Sequence, residues 1–186
     1  MAKKILFQTA LTDLETTDIE GLGVLREEGN DAYRWVKNAS GTALIAAGCC
    51  LMDFTTTKAD IYKRVRSEQT AQTGPSTCYP SMPAGSPITA IAASGAGTGD
   101  HGWIKVGGIA KVSVRQTATA ADQAPGCYAI GTSVAHTTAV DQWEIYTSVI
   151  SSSGHQLALR CAQIVSALAT TGYKTCASAI VQIRCL

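Results

Sequence analysis

The side chains that could support catalysis in this chain are few and scattered. His101 follows Asp100 in a glycine-rich stretch, and Ser81, Ser86 and Ser94 lie upstream. Serine, histidine and aspartate can form a catalytic triad in any chain order, but almost every protein contains these residue types. The chain has no G-x-S-x-G motif of the kind that presents a nucleophilic serine. The sequence therefore predicts that the protein is not an enzyme, and no catalytic residue is assigned.

Motifs for cofactors and metals are equally weak. The segment GAGTGD at residues 95–100 resembles a phosphate-binding loop but lacks the Lys and Ser/Thr that complete one. The seven cysteines include no C-x₂-C pair, and the adjacent Cys49 and Cys50 would point to opposite faces of a strand. We therefore expect no cofactor and no metal site. The cysteines are interpreted as small buried side chains, with a disulfide formed in an oxidising medium as the alternative.

The charge of the chain is nearly balanced, at +1 from 15 basic and 14 acidic residues, so we expect no nucleic-acid partner. The one short basic cluster, Lys63, Arg64 and Arg66, is interpreted as a solvated strand face or a contact with an acidic partner, with phosphate binding as the alternative. The longest apolar run, residues 43–52, is about half the length of a membrane helix. The apolar run at residues 5–7 is too short for a signal peptide. We expect no membrane partner, and synthesis in the cytoplasm.

The composition favours strands over helices. Charged residues make up 16% of the chain, against about 25% in an average soluble domain, and threonine and 17 glycines fill part of the remainder. Threonine suits a pleated, half-buried surface, and glycine supplies turns. The prediction is a mainly β protein: a single-domain β-sandwich or β-barrel with short helices at most and an N-terminal arm.

Two stretches are poorly suited to a core. Residues 1–20 combine Asp, Glu and Thr with scattered apolar residues, and are predicted to form the N-terminal arm of a β domain that spans residues 21–186. Residues 69–102 contain proline and glycine at short intervals, and are predicted to form a long loop within that domain. A loop of such length inside a compact domain is usually functional. Both stretches are therefore candidates for partner contacts.

The clearest local signal is a predicted hairpin. Strand-like residues 103–106 and 109–114 flank Gly107-Gly108, which supplies the positive φ angles of a two-residue turn. About nine to eleven short strands can be placed along the chain, and a helix across residues 157–168 is left open. Aromatic and aliphatic residues of the best-defined strands are predicted to lie in the core or at a subunit contact. They are Tyr33, Trp35, Trp103, Val106 and Val112.

Two segments resemble the accessory head proteins of tailed bacteriophages. Residues 21–38, GLGVLREEGNDAYRWVKN, resemble their opening, where a G-x-x-R-E strand, a Gly-Asn turn and a Y-R-[YW]-V-K strand precede an Ala/Gly-rich strand such as residues 43–52. Residues 101–114, HGWIKVGGIAKVSV, followed by CYAIG at residues 127–131, resemble their later hairpin. The resemblance spans roughly residues 20–132, about 60% of the chain.

The resemblance implies a capsid cement or decoration protein, a structural component of the virion without catalytic residues. Such a protein binds the outer surface of the major capsid protein lattice as a homo-oligomer, here expected to be a trimer, after synthesis in the host cytoplasm. Another virion role, in the tail, the head–tail joint or the fibre base, is the first alternative. An enzyme or a small-ligand-binding barrel is the second. A deep pocket that contains His101, with a carboxylate within hydrogen-bond reach, would favour the second alternative.

Overall fold

β-branched and aromatic residues, interrupted by glycine, set the local structure of this chain. A computed structural model describes residues 7–53, 60–67, 83–116, 128–131, 143–146, 162–164 and 176–185. The protein is mainly β, with no helix among the described residues, and it forms a single small domain around a closed five-stranded barrel. The predicted fold class is therefore confirmed.

Eleven strands are found in the described residues. In chain order they are β1 (Leu14–Glu15), β2 (Leu25–Glu28), β3 (Asp31–Asn38), β4 (Cys50–Met52), β5 (Arg64–Arg66), β6 (Pro83–Pro87), β7 (His101–Gln116), β8 (Tyr128–Gly131), β9 (Trp143–Tyr146), β10 (Ala162–Ile164) and β11 (Cys176–Arg184). β10 falls within residues 157–168, so the helix left open there is not formed at these three positions.

Five of the strands close into the barrel. β3 and β7 run antiparallel with Trp35 opposite Trp103, and the sheet continues from β7 to β6 and then to β4. β4 pairs antiparallel with β5. β5 then closes the ring by parallel pairing with β3, where Lys37 lies opposite Arg64. Closure removes the exposed edges that an open sheet would present.

The longest strand, β7, also belongs to a second closed circuit of pairings. Its second half pairs antiparallel with β11, from Gly107 opposite Arg184 to Arg115 opposite Cys176. β9 runs parallel to the end of β7, and β8 and β10 connect β9 back to β11. β7 is therefore a wall of both circuits. β1 and β2 add to the first circuit, at β7 and β3 respectively.

The predicted hairpin is wrong: Gly107 and Gly108 lie inside β7, which runs on without reversing. Gly108 has a φ of +99°, and the register between β3 and β7 shifts at this point, between Ala32 and Tyr33. The residue that this shift leaves without an opposite partner on β3 is Val106, so the strand bulges beside the glycines and does not turn. The physical reason is that each flanking segment has a long partner of its own, β3 for the first and β11 for the second.

The predicted loop over residues 69–102 is wrong at residues 83–87, which form β6 and are buried along its length. Proline and glycine are depleted in strands, but here the two prolines stand at the ends of the strand. Gly85 approaches β7 so closely that a Cβ would overlap the carbonyl oxygen of Lys105. Glycine is therefore required by the packing of the wall. Residues 69–82 of the predicted loop lie outside the described residues, and its last two residues, His101 and Gly102, begin β7.

The core has two layers, one on each side of the β3–β7 wall. Inside, aliphatic and cysteine side chains pack together, and Val106 and Val112 of β7 belong to this layer. Outside, Tyr33, Trp35 and Trp103 form a second cluster with partly buried apolar residues of the N-terminal segment. All five residues that the sequence analysis assigned to the core or an interface are buried.

The described part of the predicted N-terminal arm lies along the barrel. Leu14 and Glu15 form β1, opposite Gly102 and His101 of β7. Gly99 packs so closely on this strand that a Cβ would lie 2.9 Å from the Cβ of Leu14. The assignment of residues 1–20 to an arm stays a prediction. Its described residues contact the barrel wall rather than project from it.

The bulge in β7 yields a stability prediction with a matched control. In Gly108→Ala the new Cβ would lie 2.9 Å from the carbonyl oxygen of Asn30 and would clash with Asp31, in addition to the strain of positive φ. Gly21 has a similar φ, +93°, with nothing within 4 Å of a Cβ. We expect urea unfolding to show a loss of about 1–2 kcal/mol for Gly21→Ala from backbone strain alone. Gly108→Ala should lose about 2 kcal/mol more because of overpacking; equal losses would contradict the close packing of Gly108 against Asn30 and Asp31.

Candidate functional site

Two tryptophans form the centre of the outer cluster. Trp35 and Trp103 lie opposite each other on β3 and β7, with ring centroids 5.3 Å apart and planes at 61°. Phe7 packs edge-on against Trp103 at 5.5 Å. The guanidinium of Arg26 lies 5.1 Å from the Phe7 ring and 5.7 Å from the Trp103 ring. This is the geometry of a packed aromatic cluster covered by the N-terminal segment.

The polar ends of both indoles are bound by the same N-terminal segment. Trp103 Nε1 donates to Thr9 Oγ1 at 2.9 Å, and Trp35 Nε1 donates to Asp18 Oδ1 at 3.1 Å. Glu20 holds Thr9 in turn, because its Oε1 accepts from the Thr9 backbone N–H and hydroxyl. The carboxylates of Asp18 and Glu20 therefore hold the N-terminal segment over the two tryptophans. The sequence analysis missed Thr9, Asp18 and Glu20, because acidic and threonine-rich text is also typical of a solvated segment.

The sequence candidate His101 begins β7 and lies against a buried carboxylate. Its Nδ1 is 2.7 Å from Asp100 Oδ1, and Lys37 Nζ is 3.5 Å from the other carboxylate oxygen. The imidazole stacks on Trp35 with ring centroids 6.4 Å apart. Burial acts to raise the pKa of Asp100, but His101, Lys37 and hydrogen bonds outweigh it, so this pKa lies below its ordinary value. The three polar side chains form a compact ion cluster at the barrel wall.

The small-ligand alternative requires a pocket at His101. The carboxylate within reach is present, but the side chain of His101 is only 5% exposed. A cleft of about 300 Å³ lies elsewhere, lined by residues of β3, β6 and β7 that include Ser86 and Lys111. The geometry around His101 is therefore that of a packed ion cluster.

Lys105 occupies the wall of this cleft and is already engaged. Its Nζ lies 2.7 Å from Asp31 Oδ2 and 5.6 Å from the centre of the Tyr33 ring. It also donates a hydrogen bond to the carbonyl oxygen of Ile109, across the bulge. Lys105 thus ties the start of β3 to the bulge in β7.

The predicted basic cluster faces two carboxylates. Lys63 Nζ lies 3.3 Å from Asp60 Oδ1. Arg64 Nε and Arg66 Nη1 lie 3.8 and 3.7 Å from the two oxygens of Asp53, whose side chain is buried. These neighbours offset much of the positive charge. The guanidinium nitrogens of Arg64 and Arg66 that do not face Asp53 could bind either an acidic partner or a phosphate, and both alternatives stay open.

The described cysteines are consistent with a packing role. Cys49, Cys50 and Cys185 are buried thiols, and Cys50 Sγ donates to the carbonyl oxygen of Gly85 at 3.3 Å. Within the described part of the chain, no three His, Cys, Asp or Glu side chains converge as a metal site would need. The remaining cysteine side chains lie outside the described set: Cys78, Cys127, Cys161 and Cys176. That most of the seven are reduced stays a prediction.

The outer face of the β7–β11 pair exposes large aliphatic side chains. Ile109 is 60% exposed and Ile180 is 42% exposed. The register sets Ile180 opposite Lys111 and Ile109 opposite Gln182, so the four side chains share one face. We call these four residues the β7–β11 patch. Exposed apolar side chains on one face of a sheet provide area that a partner protein can bury.

The hydrogen bond from Trp103 gives a second stability prediction. Thr9→Val preserves the shape of the side chain but leaves the buried indole N–H without its acceptor, so we expect a loss of about 1–3 kcal/mol in the free energy of unfolding. Thr17→Val, at an exposed position of the same segment, should change it by less than about 0.5 kcal/mol. Both are measured by denaturant unfolding monitored by tryptophan fluorescence. Equal losses in the free energy of unfolding for the two variants would show that Thr9 does not hold the N-terminal segment against Trp103.

The ion cluster at Asp100 predicts a pH-dependent loss of stability. Because the pKa of Asp100 is lower in the folded state, its contribution is complete above the unfolded value of about 3.9 and is lost as the pH falls through the folded value. Wild type should therefore be more stable than Asp100→Asn at neutral pH, and the gap should close in acid. The measurement is urea unfolding of both proteins across this range. A gap that widens in acid would contradict the prediction.

Comparison with known proteins finds no match to this chain. No protein family, no curated protein and no solved structure matches the chain. Among the residues that the structure describes, no helix has the length and hydrophobicity of a membrane span. Any functional assignment therefore rests on the barrel, its buried polar clusters and its exposed side chains.

Proposed function

We propose that the protein is a capsid cement or decoration protein of a tailed bacteriophage. It binds the outer surface of the major capsid protein lattice as a homo-oligomer, with a trimer as the expected form, and it stabilises that lattice. It has no catalytic role. The runner-up is another structural component of the virion, in the tail, the head–tail joint or the fibre base.

The observation that carries the proposal is the β7–β11 patch on a closed barrel. Ile109 and Ile180 point away from the core from the longest strand pair among the described residues. Their strands belong to closed circuits, so the patch is held in one geometry before any partner is bound. Rigid surfaces lose little conformational freedom on association, which favours tight binding. A low content of charged residues, 16%, also suits surfaces that become buried in an assembly.

The placement of the two phage-like segments gives further support. Residues 21–38 contain β2 and β3, and residues 101–114 form most of β7. β3 and β7 are neighbours in the barrel, with six paired positions from Ala32 opposite Gly107 to Lys37 opposite His101. The two segments that resemble the phage proteins therefore supply neighbouring strands of the same barrel.

A cement protein acts by mass action. If it binds the assembled lattice and not the separate subunits, each occupied site stabilises the lattice by RT ln(1 + [L]/Kd). A stable contact of this kind buries at least about 1,000 Å² in total. A standard interface involves about 20–30 residues on each side, so surfaces beyond the four residues of the β7–β11 patch must contribute to the contact.

The decisive experiment is cryo-electron microscopy of the particle that carries this chain. The proposal expects many copies on the outer face of the capsid, in register with the lattice. A few copies at the tail or portal would instead establish the runner-up. Absence of the chain from purified particles would overturn both.

The patch makes the proposal testable with purified components. Ile109→Asp and Ile180→Asp should each weaken binding to capsids stripped of this protein by about tenfold or more, because a charge would be buried at the contact. Ala43→Asp adds the same charge at an exposed position outside both predicted contact stretches and should bind like wild type. Binding is measured by co-sedimentation, and the burst temperature of the decorated particles gives an independent readout. Unchanged binding of both isoleucine variants would remove the patch from the contact.

A further inference from the structure

Arg34 is a buried charge on the inward face of β3. Its side chain shares that face with Val36, since the two positions are separated by one strand period, and the residue is only 6% exposed. Arginine is almost never fully buried unless it is paired. Removing a charge from water costs several kcal/mol, which only a close counter-charge and hydrogen bonds offset.

No such counter-charge is found in the part of the chain that the structure describes. Arg26 contacts Glu28, Arg64 and Arg66 approach Asp53, and Arg184 donates to Gln182. In contrast, the described contact of the Arg34 guanidinium is with the ring of Tyr62, at 5.4 Å from its centre.

The electrostatic surroundings of Arg34 agree with this geometry. Burial lowers the pKa of Arg34 below its ordinary value, and the nearby Cys185, Tyr62 and Cys50 offset this only in part. A guanidinium remains protonated at neutral pH all the same. The described part of the barrel therefore holds a buried positive charge with a ring contact to Tyr62 and no ion pair.

Arg34 lies at a mouth of the barrel. β5 pairs with β3 at Lys37 and Asn38, so Arg34 stands beyond the end of β5, where β2 takes over as its neighbour. Leu25 of β2 lies directly opposite Arg34 and on the same face. Leu25 is 44% exposed and Tyr62 is 55% exposed. We call Arg34, Leu25 and Tyr62 the Arg34 mouth.

We propose that the Arg34 mouth receives a carboxylate side chain of a partner protein, which pairs with the buried guanidinium while Tyr62 and Leu25 contact the apolar part of the same segment. A planar guanidinium binds a carboxylate through two parallel hydrogen bonds. Arginine and tyrosine, together with tryptophan, are enriched among the residues that dominate interface energies. The exposed apolar rim favours a protein segment over a small oxyanion, which would leave Leu25 unused. That the partner is the major capsid protein rests on the proposed function.

The first test needs no partner. Thermal unfolding of wild type, Arg34→Met and Arg184→Met is compared in sodium acetate, sodium phosphate and sodium chloride at equal ionic strength. Acetate should raise the midpoint of wild type and of the exposed-arginine control Arg184→Met above the value in chloride, because a ligand of the native state stabilises it. Arg34→Met should show no such rise. In chloride it should be as stable as wild type or more so, since an uncompensated buried charge has been removed.

Arg34→Lys keeps the positive charge but lacks the planar pair of N–H donors of a guanidinium. Acetate should therefore raise its thermal midpoint by less than it raises that of wild type. A fall in the stability of Arg34→Met in chloride would show that the arginine is a structural element and would overturn the proposal. So would equal midpoints of wild type in acetate and chloride.

The second test uses capsids stripped of this protein. Arg34→Met should bind at least about tenfold more weakly than wild type, as expected for the loss of one partner of a buried charge pair, while Ala43→Met, at an exposed position outside the mouth and the β7–β11 patch, should bind normally. If Arg34→Met binds like wild type and phosphate stabilises wild type more than acetate does, the mouth is a small-oxyanion site and the proposal is wrong. If wild type itself does not bind capsids, the proposed function fails, while the acetate experiment still decides the role of Arg34.

Discussion

Strand β7 has to satisfy several sets of hydrogen-bonding partners along one sixteen-residue path, and the other strands are arranged around that requirement. Its first half pairs with β3, β6 and β1, and its second half with β11 and β9. The exchange of partners falls at Gly107, which is paired with both β3 and β11, next to the bulge at Val106. Lys105, Asp31 and the carbonyl oxygen of Ile109 bind across this point and hold it.

The strand period explains why much of the barrel could be predicted from the sequence. Alternation in residues 31–38 puts Tyr33 and Trp35 on one face, and both are buried there. The same alternation puts Arg34 on the face of Val36, so a charge on the inward face was readable from the text. The lack of a described counter-charge near Arg34 could not be predicted, because it depends on residues that are brought together by folding.

The errors have a common cause. Gly107-Gly108 has the local chemistry of a turn, and Pro83–Pro87 has that of a loop, yet both lie within strands. In each case pairing with segments distant in sequence outweighs the local preference, since β-propensity is largely a matter of context. The polar anchors Thr9 and Asp18 were missed for a related reason. Their roles depend on indole N–H groups of Trp103 and Trp35, far along the chain.

The closing strand of the second circuit has a consequence for biosynthesis. β3, β4, β5 and β6 all precede β7 in the chain, whereas β11 comes last among the described strands. The first circuit can therefore close soon after residue 116 leaves the ribosome. The stretch of β7 from Gly107 to Arg115 must wait for Cys176–Arg184 to pair with it. During that interval it presents an unpaired edge, the structure most prone to wrong pairing between chains, so the order of synthesis makes the last strand the one that protects the nascent protein from aggregation.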